Sequence, residues 1–98
     1  MINNQIEYLF HLCMEAQKEE SGYFKERCDW GNDKPEIFFE LSGVVSKLEI
    51  RIYDRGWKEY TAPDKVFEFF LNEEIDQDKF RACRDYLLKL IEKQKEEE

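Results

Sequence analysis

Apolar residues recur along this chain with two periods, one of helices near the ends and one of strands between them. Ile6, Leu9, Phe10, Cys13 and Met14 fall at i, i+3, i+4, i+7 and i+8. That spacing puts them on one face of an amphipathic helix over residues 3–20. Gly22, behind Lys18-Glu19-Glu20-Ser21, is placed to end it. Residues 23–30 then alternate, with Phe24, Cys28 and Trp30 in one phase, and read as a strand despite Glu26 in that phase.

Gly31-Asn32-Asp33-Lys34-Pro35 is a loop built of turn formers. Residues 36–42 alternate again, Ile37, Phe39 and Leu41 facing one way. The clearest strand lies within 44–54, where Leu48, Ile50 and Ile52 oppose Lys47, Glu49 and Arg51. One apolar and one charged face suit an antiparallel sheet with one side in water. Asp54-Arg55-Gly56 reads as a hairpin turn into a further strand over 57–61. Beyond Ala62-Pro63-Asp64, residues 65–71 admit two readings. As a strand, Phe67, Phe69 and Leu71 point inward; as a short helix, Val66, Phe67, Phe70 and Leu71 share a face behind Pro63. A valine and three phenylalanines in seven residues favour the strand.

The last helix opens at Asp76, a good N-cap, with Ile75 placed to staple onto Phe80. Phe80, Cys83, Leu87 and Ile91 form its buried stripe, Leu90 beside them, and residues 92–98 hold no apolar residue, so a frayed tail is expected. The expected fold class is α+β: an N-terminal helix, an antiparallel meander of four to five strands, and a C-terminal helix. Both helices cover one face of the sheet. The 98 residues are expected to form one domain, and an apolar content of 42% suffices for its core.

Charge changes the picture more than composition does. The net charge is −8 and unevenly placed. Between residues 64 and 78 the carboxylates Asp64, Glu68, Glu73, Glu74, Asp76 and Asp78 face a single base, Lys65. A field this lopsided selects partners by sign and argues against binding nucleic acid through its phosphates or an anionic membrane surface. No run approaches the length of a bilayer span, and the first residues lack a basic and then apolar leader pattern. With three widely spaced cysteines, Cys13, Cys28 and Cys83, that points to reduced thiols and a cytoplasmic location.

Catalytic equipment is sparse. The lone histidine, His11, has no local cysteine signature, and no pair among the 23 carboxylates stands out. Cys and His are too few and too scattered for a soft-metal site. Asn72, Glu74, Asp76 and Asp78 alternate as oxygen donors, but the stretch lacks the glycine and terminal glutamate of a calcium loop. It reads as a solvated turn before a capped helix, and neither metal nor cofactor is expected.

The function expected is that of a small acidic, non-enzymatic binding protein. Its partner is a protein with a basic surface, engaged by the logic of inhibitors, immunity proteins or DNA mimics. The residues expected to meet it are Glu73, Glu74, Asp76 and Asp78, with Arg55, Trp57 and Tyr53 as aromatic and arginine anchors near the hairpin turn. The alternative is a structural module that pairs with itself as a homodimer, its acids serving solubility alone.

Overall fold

The computed structural model describes residues 4–18, 21–24, 35–56 and 60–96. The elements run α1 (Asn4–Gln17), β1 (Glu36–Ser42), β2 (Lys47–Tyr53), β3 (Lys65–Phe70) and α2 (Gln77–Glu96). The chain is α+β, with an antiparallel sheet in the order β1-β2-β3 between its helices.

Among the described residues the sheet has three strands, fewer than the four or five expected. The expected strand at 57–61 accounts for part of the difference. Residues 57–59 lie outside the described residues, but Tyr60 has φ 63° and residues 61–64 belong to no strand. A left-handed residue breaks the pleat, and Pro63 brings no N–H to a ladder. Instead, Gly56 takes φ 88° and its N–H donates to the Tyr53 carbonyl at 3.2 Å. The connection closes where the Asp54 N–H donates to Asp64 Oδ2 (2.7 Å) and the Asp64 N–H to the Ile52 carbonyl (2.9 Å). β3 therefore pairs directly with β2. The other expected strand, 23–30, falls mostly on residues 25–30, outside the described residues, as does most of the loop at 31–35. Residues 65–71 resolve as the strand reading, with Phe67 and Phe69 buried.

Register places one apolar row behind another. Ile37 pairs with Ile52, Phe39 with Ile50 and Leu41 with Leu48; on the other side Phe67 meets Ile50 and Phe69 meets Leu48. Both helices pack on this face, since Leu9, Leu12 and Cys13 of α1 and Phe80, Cys83, Leu87 and Leu90 of α2 join the same core cluster. Leu9, Leu48, Ile50, Ile52 and Leu87 have no solvent exposure. Each such side chain contributes about 1.5–3 kcal/mol by burial.

The helices run side by side in the same direction. Gln5 and Gln77 exchange side-chain hydrogen bonds at their N-terminal ends (2.8 and 3.1 Å), and Gln94 Nε2 donates to the Ala16 carbonyl (2.8 Å) near their other ends. α2 thus continues through the expected tail as far as Glu96. Its start is the expected one. Asp76 Oδ1 accepts the Lys79 N–H at 3.1 Å, while the Asp76 carbonyl accepts the Phe80 N–H at 2.9 Å. The side-chain bond satisfies a donor a helix start otherwise leaves orphaned, and the carbonyl bond is the first of the helix ladder.

α1 departs from its expected stripe in a way that shapes the surface. The buried residues are Leu9, Leu12, Cys13 and Ala16, themselves spaced i, i+3, i+4 and i+7. Ile6 is only partly buried, and Phe10, expected in the core, is 44% exposed. The apolar face is wider than the sheet beneath it can cover, so its flank is left over.

Candidate functional site

That flank is one wall of a groove of about 730 Å³ at one end of the inner sheet face. Ile6 and Phe10, one helical turn apart on α1, form the first wall. Phe39, Leu41 and Leu48 form the floor, and Leu71 and Ile75, on the connection from β3 to α2, the opposite wall. Phe10 meets Phe39 edge-on, ring centroids 5.2 Å apart. Beyond the reach of the helices, Leu41 is 67% exposed although its register places it on the inner face. The hairpin tip next to Leu41 adds Val44 and Val45, both exposed, and is tied to the far wall by the Leu71 N–H, which donates to the Ser46 carbonyl at 2.7 Å.

Acids line both sides of this apolar floor. Glu7 stands on the α1 side, Glu73 and Glu74 on the other. All three are exposed, and no cation among the described residues pairs with them. Chemically the site can bury apolar side chains and attract positive charge around them. Among the described residues, no histidine, cysteine or hydroxyl-bearing side chain lines it.

The expected site residues separate into two groups. Glu73 and Glu74 reach the groove. Asp76 and Asp78 do not line it; the first caps α2 and the second pairs with Arg81 one turn on. Arg55 and Tyr53 sit at the other end of β2, about 17 Å of strand from Leu48. Arg55 is exposed, but Tyr53 is only 7% exposed, its ring edge-on to Phe38 at 5.6 Å, which leaves little of it to meet a partner. Trp57 lies outside the described residues. The groove's apolar residues were the ones the sequence pattern assigned to the core; the signal that could have found them is the width of the apolar face on α1.

Elsewhere several acids hold structural contacts at the surface. Tyr86 donates its hydroxyl to the Asp54 carboxylate, 2.7 and 2.8 Å from its two oxygens. Burial, then this hydrogen bond and the charges of Asp54 and Asp64, push the Tyr86 hydroxyl well above the usual tyrosine pKa. Cys13 and Cys83 are buried free thiols, and burial pushes each up to about 12. On the outer sheet face, Glu40, Glu49 and Glu68 stand side by side across the three strands. Arg51 pairs with Glu40 and stacks over Phe38 at 5.3 Å, and Lys47 lies 3.7 Å from Glu49. Those cations offset a row of like charges that is otherwise destabilising.

Among the described residues, no group of three or more His, Cys, Asp or Glu is placed to hold a metal ion, and no helix is long and apolar enough to cross a membrane. Compared with protein-family models, with curated proteins and with solved structures, the chain matches none.

Proposed function

We propose that this chain is a small acidic, non-enzymatic binding protein whose partner is a protein with a basic surface, and that the groove is where they meet. The observation that carries the reading is the groove itself, an apolar floor at the end of the sheet around which stand Glu7, Glu73 and Glu74, unpaired among the described residues. Apolar anchors supply affinity when they leave water, while the carboxylates speed encounter and reject partners of the wrong sign. The same field disfavours nucleic acid and anionic membranes as partners. Buried free thiols at Cys13 and Cys83 suit action in the reducing cytoplasm.

The test is affinity capture from lysate of the source organism at two salt concentrations, using wild type and a Glu73→Lys/Glu74→Lys variant. The reading expects a basic protein held by wild type, released by salt and lost by the variant. A captured set that is the same for both baits at both salts overturns it.

A second reading, self-association as a homodimer, has its own observation. The outer sheet face leaves Phe38 and Val66 exposed on either side of Arg51, and Phe70 exposed beside Lys47. Sedimentation equilibrium that shows only monomer at high micromolar concentration removes it.

A further inference from the structure

The groove's geometry also bears on the kind of segment that fills it. Resting on the reading above, we infer that the partner contributes an amphipathic α-helix, which lies across the open end of the inner sheet face. Its apolar residues at i, i+3 or i+4, and i+7 enter the groove, and lysines or arginines run along both flanks.

Three observations favour a helix. The groove lies in the helix layer, on the face that α1 and α2 cover elsewhere, and an element of the same kind completes that layer. Its α1 wall presents Ile6 and Phe10 one turn apart, a repeat that side chains of a second helix can interdigitate with. Its acids stand on both sides, Glu7 across from Glu73 and Glu74. A helix with a central apolar stripe carries basic residues on both flanks, their aliphatic stems lying along the walls while their charges reach the carboxylates. A strand would instead add at a backbone edge, β1 or β3, outside the helix layer in which the groove lies.

The experiment titrates the isotope-labelled full chain with four synthetic peptides of equal length, followed by calorimetry and by amide shifts in two-dimensional NMR. One orders leucine and lysine as an amphipathic helix, one alternates them, and one scrambles them at the same composition. The fourth keeps the helical order with glutamate in place of lysine. The inference expects the helical lysine peptide to bind at least about tenfold tighter than the scrambled one and to shift the amides of Ile6, Phe10, Leu41 and Leu71–Ile75. Leu41→Asp, and separately Glu74→Lys, each weaken that binding by about tenfold. Both positions are exposed, so an unchanged amide pattern in the free variants verifies that the fold is intact.

Tighter binding of the alternating peptide, or equal binding of the scrambled one, overturns the helix and leaves the acidic-binder reading standing. Equal binding of the glutamate peptide at the groove overturns the acidic reading. Groove amides that shift on dilution of the protein alone assign the groove to a second copy and overturn the inference, as does binding by none of the four.

Discussion

Asp76 fixes where α2 begins, because its carboxylate accepts the Lys79 N–H that the helix itself cannot satisfy. Asp76→Ala is expected to cost about 0.5–2 kcal/mol of stability, read as a lower urea midpoint with an unchanged slope. Cys13 and Cys83 make a pH prediction. Burial raises both thiols from 9.0 to about 12 in the folded chain, with the neighbouring Cys13 adding to the shift at Cys83. On unfolding they regain their ordinary acidity, so above about pH 9 the unfolded chain binds fewer protons than the folded one. Stability is therefore full below pH 9.0 and falls as pH rises toward about 12. Tyr86, shifted the same way, adds to the fall. Urea titrations on either side of the ordinary thiol pKa should show the drop, and Cys13→Ala should make it shallower.

At the scale of elements, the period of the apolar positions was enough to place α1, β1, β2 and α2 and to favour β3 as a strand. It could not place the boundary between core and surface on α1. A helix with apolar residues at 6, 9, 10, 12, 13, 14 and 16 can be rolled either way by its neighbours. Here the sheet and α2 together bury Leu9, Leu12, Cys13 and Ala16 and leave Ile6 and Phe10 to wall the groove. Nor does alternation distinguish residues that pair from residues that bend away, so 57–61 resembled a strand although Tyr60 turns left-handed. Gln17 illustrates a contact that no local pattern announces. Its amide pairs with Pro35 and Ile37 as a neighbouring strand would. Gln17→Ala should speed hydrogen exchange at the Ile37 amide selectively, leaving the amides between β1 and β2 protected.

For the whole molecule, the net charge of −8 is a matter of long-range repulsion. The carboxylates from Asp64 to Asp78 bracket β3 and the groove, where Glu73 and Glu74 have no counter-ion among the described residues. Screening should relieve this, so the melting temperature is expected to rise as sodium chloride is added across the range where the Debye length shrinks from about 30 to about 8 Å. The Glu73→Lys/Glu74→Lys variant should melt higher at low salt and respond less. Equal salt responses for the two proteins would place the repulsion elsewhere in the chain.

The sequence alone determined the α+β class, the inner and outer faces of β1 and β2, the capped start of α2 and the acidity of the chain. Each of these depends on spacing or sign within a few residues, and such terms survive in any fold the chain adopts. Only the tertiary structure decided that Glu73 and Glu74 face an apolar groove while Asp76 and Asp78 serve their own helix. It also buried Tyr53 and left Leu41 open at the end of the sheet. Those outcomes depend on how far two helices reach over three strands. That is a matter of area and placement between elements distant in sequence, which no local period encodes.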